Sequence, residues 1–370
     1  MRIVLLREIP EDSSLLRGWN DLVLQTEHPE VFYNSEWALA VQSAYRGLQK
    51  PLLLLGYEGD DLAGVASFST DPDERQVSFL AGTTADYCDF VSHPQKRTEF
   101  VEAVFAELRR ELKSSSLVLA NLPADSATPV ALRTAAKKHG FHLFVRPAYL
   151  CSQVELGSGS KREELKTTVT NKRQLRRCLK ALAREGPVTS VYLRSWPEIQ
   201  AALPSFVDAH LARFRAKRGT SFLYTSERQL FMEELARRSS TAGVMTLTML
   251  MVGDRPVAWS YGFQFNGAWF LYQTTFDIRC EDNSPGYCLL GKILIEACDM
   301  STMKLVDLGL GAEGYKEWFA NSGRQTLYAT LTTSPVRHVR EIARYRLASE
   351  VRRFPKLEAA IRNTRSKFGF

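Results

Sequence analysis

The chain carries the same hairpin twice, and few folds can accommodate that. Pro51 to Tyr57 and Leu62 to Ser69 flank Glu58-Gly59-Asp60-Asp61, while Met245 to Val252 and Val257 to Phe265 flank Gly253-Asp254, so the two Gly-Asp turns stand 194 residues apart. Apolar runs of strand length around such a dipeptide read as a β-hairpin. The elements around the hairpins repeat as well. Ahead of the first lie a strand at Arg2 to Arg7 and helices at 12–26 and 34–46, the latter with Trp37, Val41 and Ala44 on one face. After it come a strand at Gln76 to Ala81, a helix at 95–113, a strand at Leu117 to Leu122, a helix at 128–139 and a strand at Phe141 to Val145. The second half begins with a basic helix at 162–185, then a strand at Val188 to Leu193 and helices at 196–218 and 226–239. Its hairpin is followed by strands at Ala268 to Phe276, Lys304 to Leu308 and Thr326 to Thr332, with helices from Pro285 to Cys298 and from Gly314. Duplication of one α/β unit is the simplest account. The fold class is therefore α/β (α+β), with two tandem domains at 1–158 and 159–335 joined at Leu156-Gly157-Ser158-Gly159-Ser160, each a mixed central sheet flanked by helices.

A basic helical tail at 336–370 completes the chain. Val336, Val339, Ile342, Ala343, Leu347 and Val351 recur at three- and four-residue steps, a narrow stripe suited to packing along the second domain, with arginines facing outward and Pro355 ending the helix.

Charge is unevenly placed. Residues 336–370 hold ten Lys/Arg against three Glu and residues 161–184 hold nine against two, so the rest sums to −7 within a net +7. Two basic surfaces of this kind suit phosphates, nucleic acid or anionic lipid, and weak contact with an anionic membrane is expected of the tail. At 45% apolar and 24% charged the chain has the usage of a folded protein. No apolar run reaches the 18 or so residues of a spanning helix. Charges at Arg2, Arg7 and Glu8 interrupt the first apolar segment too early for an export signal, which leads to the expectation of a cytoplasmic protein, peripheral at most to the inner membrane face. Six cysteines without a CxxC pair and six scattered histidines give no metal-ligand spacing, so no metal is expected.

The sharpest chemical feature follows the strand Ala268 to Phe276. There Asn283-Ser284-Pro285-Gly286-Tyr287 opens an apolar helix, with Ser284 as a natural N-cap, Pro285 suited to the first turn and Gly286 open to close approach. A helix N-terminus offers unpaired amides and the positive end of the dipole, a fitting seat for a pyrophosphate. An ordinary capped helix would carry the same residues.

Strand, loop, small-residue turn and helix together resemble the acyl-CoA motif of the GNAT superfamily, and more narrowly its CelD/BcsL-type branch, where a Ser-Pro-Gly turn replaces the glycine-rich one. Asp307-Leu308-Gly309-Leu310-Gly311, Tyr315-Lys316 and Trp318 resemble the same branch, as do Asn171 to Arg177, His210 to Arg213 and Phe276-Asp277. The resemblance implies tandem GNAT domains, acyl-CoA as donor and transfer of an acetyl or longer group to an amine of an envelope or exopolysaccharide-related sugar or a lipid. It places the donor on Asn283, Ser284, Gly286, Tyr287 and Lys316. It makes Tyr315 the acid for the leaving thiolate, His210 a base or acceptor ligand and Asp277 a holder of the amine, with substrate contacts at Arg173, Arg213 and Asp307. A backbone N–H near Thr275 or Phe276 is the expected oxyanion donor. The first half has no glycine in its matching loop, Asp89 to Lys96, and should bind no CoA, while Asp86-Tyr87-Cys88-Asp89 resembles a family segment facing the acceptor cleft.

Each assignment has a plainer rival. Tyr315 can pack on Trp318, His210 can be a core histidine between Phe206 and Phe214 with one nitrogen satisfied, Asp277 can cap a loop, and Lys316 can be solvated. FemX-like relatives take an aminoacyl group from tRNA, which would make residues 161–184 a tRNA grip, and a non-catalytic scaffold could keep the fold. Gly309-Leu310-Gly311-Ala312-Glu313-Gly314 is a literal GxGxxG, but the strand end Leu331-Thr332-Thr333-Ser334 lacks the acidic residue of a dinucleotide site.

Overall fold

The computed structural model describes residues 1–74, 76–111, 116–217, 219–311 and 314–352. In the first half, β1 (Arg2–Leu6) is followed by α1 (Ser13–Val23) and α2 (Ser35–Ala44), then β2 (Lys50–Glu58), β3 (Asp61–Thr70), β4 (Val77–Phe79) and the short β5 (Val91–Ser92). Next come α3 (Arg97–Glu111), β6 (Ser116–Pro123), α4 (Thr128–His139) and β7 (His142–Glu155). After α5 (Ser160–Thr170) and α6 (Arg173–Leu182), the second half repeats the series: β8 (Val188–Leu193), α7 (Trp196–Ala216), α8 (Ser226–Thr241), β9 (Met245–Val252), β10 (Arg255–Phe265) and β11 (Ala268–Phe276). It continues with α9 (Pro285–Asp299), β12 (Leu305–Asp307), α10 (Gly314–Glu317) and β13 (Ser322–Thr332), and α11 (Pro335–Arg352) follows. The two hairpins close through equivalent two-residue turns, Glu58 opposite Asp61 and Val252 opposite Arg255, with Gly59 and Gly253 in the left-handed region at φ +62° and +57°.

The halves share one sheet, of order β1-β2-β3-β4-β6-β13-β7-β12-β11-β10-β9-β8. Each half has given its last strand to the other: β13 pairs with β6, β7 pairs with β12, and the two run antiparallel side by side at the centre. Side chains fasten the exchange. Arg324 of β13 ion-pairs with the buried Glu30 of the first half, and its Nε lies 3.1 Å from Asp125. Between the halves Trp37 packs edge-on against Tyr272 at 5.1 Å and beside Phe231 and Phe263 at 5.7 and 5.5 Å. Its indole N–H reaches Thr84 Oγ1 at 3.0 Å, while the Tyr272 hydroxyl donates to Thr84 O at 2.5 Å. A single core cluster therefore runs through both halves, beside a second one packed around α9.

Three expectations are corrected. The basic helix at 162–185 is two helices: the β-branched run Thr167 to Thr170 ends α5, and Lys172 is extended (ψ 116°). The bend turns Leu175, Cys178 and Leu182 onto α9, where Gly291 has no side chain because a Cβ would stand 2.6 Å from Leu175. The strand at 141–145 extends to Glu155, and that at 326–332 starts at Ser322; Pro147 interrupts the pattern of a strand whose bulge sits opposite Gln325–Leu327. On α11 the predicted stripe is split: Ile342 is half-buried on the side where His338 stacks on His142 (5.3 Å) and Tyr345 lies against Phe144 (5.6 Å), while Val336, Val339, Ala343 and Leu347 are exposed. Residues 353–370, including Pro355, lie outside the described residues.

Because Trp37 is 1% exposed and joins the two halves, Trp37→Ala should cost about 3–5 kcal/mol in urea denaturation, with one shared transition for both halves. Two separated transitions would contradict the shared core.

Candidate functional site

β11 and β12 run parallel for three residue pairs, Ala268–Phe270 against Leu305–Asp307, and then part. The parting is built by Asp307. Its Oδ1 accepts the Gly309 N–H at 2.8 Å, and Gly309, at φ +71°, turns the chain out of the sheet. Its Oδ2 accepts from the Tyr87 hydroxyl of the first half and from Gln153 Nε2 of β7, both at 2.8 Å. β11 runs on to Phe276 beside β10, leaving a wedge between itself and the departing chain.

Three spaces adjoin in that wedge. A cavity of about 200 Å³ is bounded by α7, β11, the inner face of α9 and Lys316. It shares Arg213, Thr274 and Gly286 as walls with a space of about 370 Å³ at the N-terminus of α9. It shares Phe222, Tyr272, Gln273 and Leu310 with a cleft of about 980 Å³ walled by both halves. The two outer spaces have no lining residue in common.

At the N-terminus of α9 Ser284 departs from its expected role. It holds the N-cap position with φ +49° and ψ 54° and makes no side-chain cap bond, so the first turn of α9, led by Pro285, has no serine cap. Gly286 and Tyr287 line the space there, and Asn283 stands just before it in a 3₁₀ turn. Thr275 Oγ1 is buried there without a partner. Arg213 donates to Thr274 O at 3.3 Å and lies over the Phe276 ring at 4.8 Å, on the wall shared with the cavity.

A capping box of Ser195 and Glu198 starts α7 and sets its phase, which carries His210 to the cavity wall. The imidazole is 2% exposed, stacked on Phe214 at 4.7 Å, and neither ring nitrogen has a partner. Burial, and then the Arg213 charge, push its pKa down to about 4. A neutral ring with two unspent nitrogens facing a cavity is the arrangement of a group kept for a ligand. Lys316, placed on the donor by the resemblance with solvation as the rival, is buried at 6% exposure and donates from Nζ to Leu310 O at 3.0 Å.

Two residues at the cleft were not assigned from the sequence. Asp86 is buried, accepts the Leu310 N–H at 3.3 Å, and has its pKa raised to about 7 by burial and then by the charge of Asp307. Arg228 is 8% exposed and bonds to neutral oxygens, Thr83 O and the Tyr272 hydroxyl at 3.2 Å and the Tyr45 hydroxyl at 3.4 Å, while its Nε has no partner. The Asp86 carboxylate acts on this guanidinium through space, and a buried guanidinium hydrogen-bonded to neutral groups gains further from an anion that joins it. The segment Asp86-Tyr87-Cys88-Asp89 drew notice in the sequence, but the isolated Arg228 gave no signal.

Other assignments are corrected. Asp277 caps the turn after β11 and is held below the usual carboxylate range by hydrogen bonds from Arg279, with Arg255 beside it at 3.3 Å; it lines none of the three spaces. Asp307 spends its carboxylate on the architecture, with Oδ1 on the Gly309 N–H and Oδ2 on Tyr87 and Gln153. Arg173 lies with Arg176, Arg177 and Lys180 on the outer face of α6, away from the cavity. Trp318 packs on Tyr287 at 5.5 Å; the Tyr315 side chain lies outside the described residues.

In the first half the equivalent wedge, between β4 and β6, is filled. The buried Tyr87, Cys88 and Phe90 occupy it, Cys88 N donates to Asn121 O at 2.9 Å, and Asn121 Nδ2 donates to Ala85 O at 2.8 Å. Arg97, in the first turn of α3, is fully buried against Asp89 at 3.2 Å.

Residues 170–317 match the family model described as an acetyltransferase (GNAT) domain. Among solved structures the fold is similar to that of FemX, at 9% identity over 89% of this chain and 97% of that one, with a TM-score of 0.63. It is also similar to the C-terminal domain of a putative lysylphosphatidylglycerol synthetase from Agrobacterium fabrum (12% identity, 92% and 96% covered, TM-score 0.53) and to L-PGS from Bacillus licheniformis (11%, 86% and 97%, 0.50). At these identities the likeness is one of fold. No curated protein matches the sequence.

If His210 is held for a ligand rather than for packing, His210→Phe should stabilise the protein by about 1 kcal/mol, because an aromatic nest gains a ring and loses two unsatisfied nitrogens. Below its ordinary pKa of 6.5 the unfolded histidine takes up a proton that the folded one refuses until about 4, so the advantage of the variant should grow as pH falls through that window. Urea titrations of both proteins across it check this.

Proposed function

We propose that the protein is an N-acyltransferase that receives acyl-CoA at the N-terminus of α9 and passes the acyl group to an amine held in the cleft between the halves. The observation that carries this reading is the row of three adjoining spaces, from a helix start without a serine cap, by a wedge lined by unspent polar groups, to a large cleft between the halves. The residues fit the donor: the first turn of α9 for a pyrophosphate, the Thr275 hydroxyl for the arm entering the wedge, and the His210 imidazole deeper in. When bound, acyl-CoA would supply an activated thioester carbonyl. The filled wedge of the first half supports a donor site in the second half alone.

Asp86 is the proton acceptor in this reading. A carboxylate with a pKa near 7 is substantially ionised at neutral pH yet basic enough to take a proton from an ammonium as the nitrogen attacks. Lys316, on the wedge side, offers its positive charge toward an oxyanion, together with N–H groups of β11. Tyr315 keeps the thiolate-protonating role that the family resemblance gives it. Arg228 takes an anionic group of the acceptor, a phosphate or carboxylate near the amine. The resemblance to the CelD/BcsL branch supports an envelope or exopolysaccharide-related amino sugar or a lipid amine. One observation favours a second donor: α6 gives Gln174 to the space beside α9 while its outer face carries Arg173, Arg176, Arg177 and Lys180, a surface suited to the phosphates of an aminoacyl-tRNA.

Calorimetry with acetyl-CoA and longer acyl-CoAs tests the donor. Gly286→Glu should weaken binding by roughly tenfold or more, since it sets a carboxylate against a diphosphate at a helix start. An unchanged affinity in the folded variant removes the assignment of this turn. If acyl-CoA fails to bind the wild type and charged tRNA binds with a steep salt dependence, the donor is the tRNA.

The pH profile of kcat/KM tests the base. It should rise through about pH 7 as Asp86 loses its proton, and Asp86→Asn should lower kcat/KM about 10²- to 10⁴-fold and abolish that limb. A profile that keeps its limb in the variant gives the role to another group.

A further inference from the structure

The outward stripe of α11 has no place in the transfer reaction. Val336, Val339, Ala343 and Leu347 fall on one face at three- and four-residue steps, and the three large ones are 76%, 64% and 69% exposed. Such exposure is unusual, because the same helix is docked on its opposite side by His338 and Tyr345 and so had a protein surface against which to bury this one. Arg340 and Arg344 border the stripe on one side and Arg346 on the other, all exposed. An apolar ridge between rows of arginine is the arrangement of a helix lying in the interface of an anionic bilayer. Among the described residues no helix is long and apolar enough to cross a membrane.

We propose that the outer face of α11 binds the surface of an anionic lipid bilayer. Charge argues against the nearest rival occupant, the rest of the chain: residues 353–370 hold five Lys/Arg against one Glu and are of like charge with the borders of the stripe. The placement has a use. Tyr345, on the docked side, lines the cleft with Tyr149 and Arg146, so a helix seated on lipid holds that cleft one helix diameter, about 10 Å, above the headgroups. This surface is independent of the donor assignment and would stand if the donor were not CoA.

The test is co-sedimentation of the full chain with vesicles of phosphatidylcholine alone and of phosphatidylcholine mixed with phosphatidylglycerol, at low and high salt. Binding is expected only to the mixed vesicles and only at low salt. Val339→Glu with Leu347→Glu, and separately Arg340→Ala with Arg344→Ala, should each lower the bound fraction several-fold with no change in thermal midpoint. Arg176→Ala with Arg177→Ala on α6 should leave binding intact. Equal binding to both vesicle types, binding to neither, or loss through the α6 pair alone overturns the proposal. So does a fall in thermal midpoint or a monomerised oligomer in the Val339 and Leu347 variant, since either would show the stripe covered by the chain itself or by a second copy.

Discussion

β7 and β13 lie side by side in the middle of the sheet, and each is hydrogen-bonded on its outer edge to the half of the sequence it does not come from. Because every ladder bond of that exchange is satisfied only when both halves are present, neither half can close its own sheet. The consequences reach the site. Asp307 ends β12 beside β7, and its carboxylate is held by Gln153 from that strand and by Tyr87 from the first half. The wedge in the second half is thus propped open by residues more than 150 positions earlier, and the cleft beyond it has one wall from each half.

Much of this architecture was legible because it is local. A Gly-Asp pair between apolar runs reports its hairpin wherever it stands, and two of them at matched places report a duplication. The exchange was not legible. Nothing in the composition of β7 or β13 says which edge it joins, and Pro147 breaks the pattern of the strand that crosses over. The same boundary divides the candidate site. Ser284-Pro285-Gly286 stood out from its position before an apolar helix, and His210 from the resemblance of the run His210 to Arg213 to a family segment. Asp277 and Asp307 stood out as conspicuous aspartates at strand ends, and such a residue looks alike whether it faces a substrate or, as both do here, closes a turn. Asp86 and Arg228 acquire their character only from burial, where a carboxylate near 310 and a guanidinium among neutral oxygens become chemically distinct from their solvated counterparts.

The two halves show what separates a fold from a site. Both present a wedge beside the helix that follows the third long strand. In the first, Asn121 in the left-handed region (φ +57°) and the buried Arg97–Asp89 pair tie the loop to the sheet, and the unpartnered Asn34 Oδ1 and Ser67 Oγ beside it face a space of only about 30 Å³. In the second, His210, Thr275 and Arg228 keep buried polar atoms in reserve. A protein tolerates such deficits where something outside the chain makes them good, and here the three line neighbouring spaces large enough to admit a ligand.

The space beside α9 and the cleft between the halves have no lining residue in common, which under the proposed reading bears on the order of events. A donor held at the first and an acceptor held at the second would not share a door, so neither would have to leave before the other arrived. Under the proposed reading the enzyme works through a ternary complex assembled in either order, and each product departs by the side from which its parent came. A single shared pocket would impose a queue; the exchanged strands, by building a second wall far from the first, remove it.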